Sequence, residues 1–398
     1  MTLQGPNSSS MIVATPEKPR FSSAPPPNVK GGPVANGSNG NLVSRSRLKA
    51  AKLWVLERAE QVGMIRAARD SNWRSKRLLI LAYHGISLAD EHEWRPELYL
   101  RPEALRERFQ IIRDNGYQVL HLRDAVEQLR AGTLPPRSVV LTFDDGTHDF
   151  LAAGVPLLRE FGFPATVYVT TYYSAKQVPV FRMACRYMLW VGRGTRISGE
   201  GLIPGCHPIE LHTPEQRDAA ADAIEARLAE SAGGVDDELA TLRLLAGRVG
   251  VDFDRFLAER RLQIMTPAEC RSLPRDLIDV QLHTHRHRVP FRKSLFDREI
   301  EDNRRVLAEF RADDQLDAFC YPNGITDVRF LPWLKEQSIR TGVTCEAGLA
   351  TATTDSLLLP RLVDSSTLSR LEFEAWLSGI ASLLPMRRGP RKPEIIED

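Results

Sequence analysis

Short apolar runs alternate with segments of helical periodicity from Lys76 to near the end of the chain. Apolar residues spaced three and four apart predict helices over about 102–115, 295–312 and 329–337, and another near Gly154. The runs that predict strands are RLLILAY, YQVLHL, SVVLTF, PATVYVT, IDVQLH, DAFCYP and IRTGVT. Strands that alternate with helices form parallel βαβ units, so the pattern predicts a barrel-like α/β fold.

The strand signal fades between about residues 172 and 267. The stretch TPEQRDAAADAIEARLAESA is helix-like, and its Thr-Pro start is a plausible helix cap. We therefore predict a largely helical insertion that sits over one end of the barrel and shapes its groove.

The pattern also divides the rest of the chain. Residues 1–42 are rich in Pro, Gly, Ser and Asn, which predicts a disordered tail, and 386–398 are predicted to be a flexible C-terminal tail. Residues 43–75 are predicted to form a basic amphipathic helix, and 76–385 the main domain. The helix has two interpretations: residues 43–70 make a peripheral contact with an anionic membrane, or they pack on the domain with a solvated basic face. We favour the second.

Composition narrows the class of protein. The chain is 42% hydrophobic and 26% charged with a net charge of +2, which is ordinary for a soluble protein and gives no reason to expect nucleic acid binding. Five cysteines without a CxxC pair argue against a disulfide framework and favour a reducing compartment. Without an evident signal peptide or transmembrane helix, we expect a cytoplasmic protein, at the inner membrane surface if residues 43–70 bind lipid. The oligomeric state stays open.

Two adjacent carboxylates end one predicted strand. Asp144 and Asp145 follow VVLTF and precede Gly146. The carboxyl ends of parallel strands carry the active sites of α/β barrels, and adjacent residues there point in different directions. One carboxylate can thus face a metal while the other faces a water molecule. The alternative is an ordinary Asp-Asp-Gly turn.

Three histidines fall within five residues after another predicted strand. They are His283, His285 and His287, in VQLHTHRHR. Together with Asp145, two of these imidazoles make a ligand set with open positions, as in catalytic metal sites; the alternative is an exposed turn. Such a set suits Zn²⁺, and Co²⁺, Ni²⁺ or Fe²⁺ also fit.

These motifs resemble those of the polysaccharide deacetylase family (NodB homology, carbohydrate esterase family 4). TFDDG is similar to its first motif, HTHRH to its second, and FCYPNG (residues 319–324) to its third. The resemblance implies a distorted (β/α)7-type barrel, a carbohydrate substrate and hydrolysis of N-acetyl groups on amino sugars.

The resemblance also implies roles for individual residues. Asp145, His283 and His287 would bind the metal, and Asp144 would be the general base. Thr284 would brace the metal-binding loop, and the backbone N–H of Asn323 would hold the oxyanion. His285 is not a ligand in the family.

The chain departs from the family pattern at two points. The third motif often carries an arginine that orients the base, but Cys320 stands there; Arg361, in LPRLVD, is either its substitute or an ordinary surface arginine, which we slightly favour. No histidine follows His287, so the usual general acid is missing. His84 ends the first predicted strand and is similar to a histidine of deacetylases that act on poly-N-acetylglucosamine, so we assign it as the acid, with His148 as a weaker candidate.

Three functions remain open on the sequence alone. The first is a metal-dependent hydrolase that removes N-acetyl groups from a cell-surface polysaccharide or its precursor. The second is a non-catalytic carbohydrate-binding protein on the same fold, and the third an O-acetyl esterase or another amidase. Aromatic residues of the insertion either stack on sugar rings or belong to the core, which is the more common case; they are Tyr172, Tyr173, Phe181, Tyr187 and Trp190.

Overall fold

The computed structural model describes residues 38–384 except 232 and 313, and the side chains from Ala50 onward. The predicted tails lie outside the described residues, apart from residues 38–42, which belong to the first helix. No helix among the described residues has the length and apolar character needed to cross a bilayer.

Twelve strands occur in this part of the chain. They are β1 (Leu79–Tyr83), β2 (Gly85–Ile86), β3 (Tyr99–Leu100), β4 (Gln118–Val119), β5 (Ser138–Phe143), β6 (Ala165–Val169), β7 (Arg196–Ile197), β8 (Ile209–Glu210), β9 (Ile278–Leu282), β10 (Ala318–Cys320), β11 (Thr341–Val343) and β12 (Leu362–Val363).

Sixteen α-helices accompany them. They are α1 (Ser38–Gln61), α2 (Met64–Arg69), α3 (Asn72–Ser75), α4 (Glu91–Trp94), α5 (Pro102–Asp114), α6 (Leu122–Ala131), α7 (Val155–Phe161), α8 (Tyr172–Lys176), α9 (Phe181–Val191), α10 (Pro214–Glu230), α11 (Gly234–Val249), α12 (Phe253–Ala258), α13 (Pro267–Ser272), α14 (Lys293–Ala308), α15 (Phe330–Glu336) and α16 (Arg370–Ser378).

A parallel sheet forms the centre of the fold. Its seven-strand path runs β11–β10–β9–β6–β5–β1–β12, and β4 pairs with the start of β5. Leu359, just before β12, forms a parallel bridge with Val343 of β11, so the two ends of the path meet. The result is the distorted (β/α)7-type barrel that the sequence predicted.

The central strands are buried along their whole length. Every residue of β1, β5 and β6 is buried, which explains why they appear in the sequence as continuous apolar runs rather than alternating ones. The sequence did not predict β12. This strand has only two residues, and it forms because Leu362 pairs with Leu81 of β1.

The insertion is largely helical, as predicted, with α8–α13 and one short antiparallel pair, β7–β8. It has its own core, which includes Met188, Ile224 and Leu245. Phe181 and Tyr187 belong to this core, so the second interpretation of these two aromatic residues is correct.

Three helices stand where the sequence predicted a single one. Gly63, at φ +74°, separates α1 from α2, because this left-handed conformation ends a helix. Leu56 of α1 is fully buried, and Arg74 of α3 donates from Nε to Leu377 O at 2.8 Å. One face of the segment is therefore packed on the domain, as the interpretation that we favoured requires, while another face is exposed.

Candidate metal and hydrolase site

The candidate residues meet at the carboxyl end of the barrel. His84 follows β1, Asp144 and Asp145 follow β5, and His283 follows β9. Because parallel strands end at the same rim, residues that are far apart in sequence come together there.

Asp145, His283 and His287 form a compact cluster of potential ligand atoms, all within 4.8 Å of one another. Asp145 Oδ1 lies 3.2 Å from His283 Nε2 and 3.1 Å from His287 Nε2. Burial opposes ionisation of Asp145, but the two imidazoles outweigh it and hold the pKa of this carboxyl well below its usual range. Two imidazole nitrogens and one carboxylate are a donor set that suits a divalent metal.

Hydrogen bonds to its main chain and ring fix the position of His283. Its Nδ1 lies 2.9 Å from Cys320 O, so the N–H of that nitrogen donates to the carbonyl and Nε2 keeps its lone pair for a metal. Its backbone N donates to Asn303 Oδ1 at 3.0 Å. Asn303 in turn donates to Val169 O and to Thr171 Oγ1, both at 3.0 Å.

The loop that carries His287 is held at several points. Thr284 is buried, and its Oγ1 accepts a hydrogen bond from Arg288 N at 3.2 Å, a contact suited to the bracing expected of it. Glu299 of α14 accepts from Arg286 N at 2.8 Å and from Arg288 Nε at 2.7 Å. These contacts fix the position of the loop that carries His287, although it has no regular secondary structure.

Four site residues adopt left-handed backbone conformations. The φ angles are +69° at Asp145, +61° at Thr284, +54° at His287 and +56° at Asn323. Non-glycine residues rarely adopt such angles, and they concentrate where surrounding contacts enforce them for function. Asn323 lies in the short Pro322–Gly324 turn that follows β10, and its oxyanion role stays a prediction.

Arg361 is fully buried and forms an ion pair with Asp144. Its Nη1 donates to Asp144 Oδ1 and its Nη2 to Oδ2, both at 2.7 Å. Its Nε donates to Thr344 O at 2.8 Å, and Nη1 also donates to Thr142 Oγ1 at 2.9 Å. The interpretation of Arg361 as a surface arginine is therefore wrong.

This pair sets the charge of Asp144. Burial by itself raises the pKa of a carboxyl group, but the charge and hydrogen bonds of Arg361 outweigh burial and lower the pKa of Asp144 to about 2. The Cys320 thiol lies 3.4 Å from Asp144 Oδ2 and 3.1 Å from Arg361 Nη2. The small side chain of Cys320 thus leaves room for Arg361, which comes from the segment before β12 rather than from β10.

The remaining histidines differ in their relation to this centre. His84 Nε2 lies 3.7 Å from Asp144 Oδ2. His148 Nδ1 instead lies 2.9 Å from Glu269 Oε1. His285 Nδ1 lies 2.8 Å from Thr171 Oγ1, so this ring is not part of the ligand cluster.

The sequence did not indicate three buried polar residues near the site. Glu299 and Asn303 are buried and four residues apart on α14, so both face the histidine loop; buried polar residues on the apolar face of a helix were the available signal. Asp149 accepts from Thr147 Oγ1 at 2.6 Å, and burial raises its pKa to about 7.

A cleft of about 600 Å³ lies between the barrel rim and the insertion. Asp90 and His148 line it from the barrel, and Tyr187, Val251 and Arg255 from the insertion. Arg261 joins the two walls, because its Nη2 lies 2.7 Å from Asp90 Oδ1 and also donates to Tyr187 OH at 2.7 Å.

The fold and this cluster define an α/β barrel protein with a candidate metal centre at the carboxyl ends of its strands. The family model for polysaccharide deacetylase matches residues 131–229, a segment that contains Asp144 and Asp145. Poly-beta-1,6-N-acetyl-D-glucosamine N-deacetylase of Escherichia coli (strain K12) is 36% identical over 94 residues, which are 23% of this chain and 14% of the relative. The same enzyme of Escherichia coli O157:H7 matches equally.

These matches confirm the resemblance of residues 131–229 to the polysaccharide deacetylase family. The matching segment spans about one seventh of the length of the Escherichia coli enzymes.

Solved structures give weaker similarities. The deacetylase PplD of Streptococcus pyogenes, in complex with acetate, aligns with a TM-score of 0.49 and 18% identity over 78% of this chain and 99% of its own. The BpsB deacetylase domain of Bordetella bronchiseptica aligns with a TM-score of 0.44 and 16% identity, over 73% of this chain and 96% of its own. The fold assignment rests on the strand order described above.

Proposed function

We propose that this protein is a metal-dependent hydrolase that removes N-acetyl groups from amino sugars of a cell-surface polysaccharide or its precursor. One observation carries the proposal: Asp144 lies beside the ligand cluster without belonging to it, and Arg361 holds it in one orientation. This division gives one carboxylate to a metal and leaves its neighbour for proton transfer.

The residues of the cluster fit a divalent metal, most simply Zn²⁺. Asp145, His283 and His287 would hold it, and the hydrogen bond from His283 Nδ1 to Cys320 O already selects the tautomer that binding requires. When bound, such an ion polarises the acyl oxygen and makes water more acidic.

Asp144 would act as the general base. Its pKa of about 2 keeps it ionised at neutral pH, so it can accept a proton from the attacking water. The two hydrogen bonds from Arg361 leave its carboxylate little freedom to turn away.

His84 would deliver a proton to the departing amine. It lies close enough to Asp144 for both groups to serve one substrate, at 3.7 Å between Nε2 and Oδ2. The backbone N–H of Asn323 would stabilise the negative oxygen of the tetrahedral intermediate, a contribution of about 3–4 kcal/mol in comparable sites.

The cleft beside the insertion would hold neighbouring sugars of the substrate. His148 on its wall lies three residues after Asp145 in the sequence, so we expect the sugar chain to extend from the reaction centre towards this cleft. Its volume of about 600 Å³ lies within the range of small-molecule sites. The poly-beta-1,6-N-acetyl-D-glucosamine named for the Escherichia coli relatives is the polymer to test first.

The test is acetate release from β-1,6-linked N-acetylglucosamine oligomers. Full-length protein would be stripped with chelator, reloaded with Zn²⁺ or Co²⁺, and compared with Asp144→Asn and with Asp124→Asn, a change at an exposed aspartate. We expect metal to restore acetate release in the wild type and in Asp124→Asn, but not in Asp144→Asn.

Two results would replace this function with an alternative. Acetate release from O-acetylated sugars alone would identify an esterase. Tight oligomer binding by the metal-loaded protein without release of acetate would identify a carbohydrate-binding protein.

A further inference from the structure

Exposed apolar side chains are concentrated on the N-terminal helices. Seven large hydrophobic residues are exposed among the side chains that the structure describes, and four of them lie within eleven residues. These four are Trp54, Val55, Val62 and Met64, with exposed fractions of 58%, 40%, 70% and 54%. Single exposed apolar residues need no explanation, but a cluster of this kind marks an interaction surface.

The cluster lies on α1, on the turn that follows it and at the first residue of α2. Trp54 and Arg58 are four residues apart and share one face of α1, and Val62, just after the helix, donates from its backbone N to Arg58 O at 3.1 Å and so extends that face. Leu56 and Ala59 are buried and lie towards the opposite face, which packs against the domain. The Trp54 surface, defined as Trp54, Val55, Arg58, Val62 and Met64, is thus exposed within the part of the chain that the structure describes.

Positive charge is concentrated in the same segment. Residues 43–77 contain ten lysines and arginines but three acidic residues, a net charge of +7, whereas the whole chain carries +2. Lys52, Arg58 and Arg66 form no ion pair with any of the side chains that the structure describes, which are those of residues 50–384 except 232 and 313. Arg58 instead lies over the Trp54 ring, with its guanidinium carbon 5.7 Å from the ring centroid.

We propose that the Trp54 surface docks on a lipid bilayer rich in anionic headgroups. Unpaired cations beside a tryptophan and aliphatic side chains match the two parts of such an interface, a negative headgroup layer and the apolar region beneath it. Tryptophan itself favours the boundary between these layers. A second copy of the chain fits less well, because it would bring two surfaces of the same charge together.

Vesicle flotation tests this docking with the full chain. Phosphatidylcholine vesicles with about one third phosphatidylglycerol would be compared with pure phosphatidylcholine vesicles at low and high salt. We expect the protein to float with the anionic vesicles, and the bound fraction to fall with salt because salt screens exposed charges.

Two variants separate the electrostatic and apolar parts. Reversing two charges (Arg58→Glu with Arg66→Glu) should weaken anionic vesicle binding by roughly 25-fold or more, at about fivefold for each charge removed. The matched control, Arg248→Glu with Lys335→Glu, changes the net charge equally at exposed positions elsewhere. Trp54→Ser with Val62→Ser should also weaken binding, whereas Val328→Ser, at another exposed apolar residue, should not.

Circular dichroism melting would show that the variants remain folded. Equal flotation with neutral and anionic vesicles, or equal loss of binding in the control pair, would overturn the proposal. A dimer in light scattering that dissociates in Trp54→Ser with Val62→Ser, without vesicle binding by the wild type, would assign the surface to self-association instead.

Discussion

Arg361 forms two parallel hydrogen bonds with Asp144, with both nitrogen–oxygen distances at 2.7 Å, although 217 residues separate the two in sequence. Thr344 O and Thr142 Oγ1 accept further hydrogen bonds from the guanidinium group and hold it in place. The pair therefore fixes both the charge and the orientation of the proposed base.

Arg361→Lys tests the role of this pair. A lysine keeps the positive charge but loses the two parallel hydrogen bonds, so burial should raise the pKa of Asp144 above its present value of about 2. The acidic limb of the kcat/KM profile should move to higher pH, and kcat/KM at neutral pH should fall by about 100-fold, as when one positioned donor is lost. Arg340→Lys, at an exposed arginine, is the control; an unchanged acidic limb in Arg361→Lys would contradict the assignment.

Removing single ligands tests the metal centre. Asp145→Asn and His287→Ala should each reduce bound zinc, measured by elemental analysis after dialysis, from about one ion per chain to a small fraction, because three protein ligands are the minimum of comparable sites. His285→Ala is a matched control, since this ring contacts Thr171 rather than the cluster. Equal zinc content in all three variants would mean that the ion binds elsewhere.

His84→Ala tests the proposed acid. Loss of a positioned proton donor should lower kcat by about 100-fold while KM changes little. His148→Ala, which removes a histidine paired with Glu269, should keep kcat within a few-fold. The reverse result would assign proton delivery to His148.

Asp149→Asn should change how stability depends on pH. The folded pKa of Asp149 is about 7, whereas an unfolded aspartate titrates near about 3.9. The contribution of protonated Asp149 to the free energy of unfolding is therefore fully present below pH ~4 and is lost as pH rises to about 7. In chelator, the asparagine variant should be more stable at pH 8 by on the order of 2 kcal/mol, but not at pH 4.

Urea unfolding at the two pH values would measure this difference. Asp124→Asn, at an exposed carboxylate, serves as the control and should unfold like the wild type at both. If Asp149→Asn changed the free energy of unfolding equally at pH 4 and pH 8, Asp149 would not be a buried group with a raised pKa.

Filling the cleft tests whether it holds the substrate. Val251→Trp places a large side chain in the space between the insertion and the barrel rim. We expect KM for long oligomers to rise about tenfold while kcat and zinc content stay near wild type, because the reacting atoms are untouched. Val328→Trp, an exposed position elsewhere, should change neither constant; the same behaviour in Val251→Trp would place the sugar outside this cleft.

The sequence alone determined the class of fold and the two motifs of the proposed metal centre, the aspartate pair after β5 and the histidines after β9. Buried parallel strands appear as continuous apolar runs, and their ends carry the chemistry, so Asp144, Asp145, His283 and His287 could be assigned to one rim. This succeeded because strand period and strand end are local properties of the chain. The prediction of a single helix over residues 43–75 was wrong, because Gly63 separates α1 from α2 and the pattern of basic residues did not show this break.

Tertiary structure decided how these residues are oriented. Arg361 was indistinguishable from a surface arginine in the sequence, because its burial depends on β12 pairing with β1 and on a small residue at position 320. Asn303 and Glu299 likewise gain their roles from the packing of α14 beside the histidine loop. Such contacts depend on which elements become neighbours in space, and the spacing of residues along the chain does not encode that.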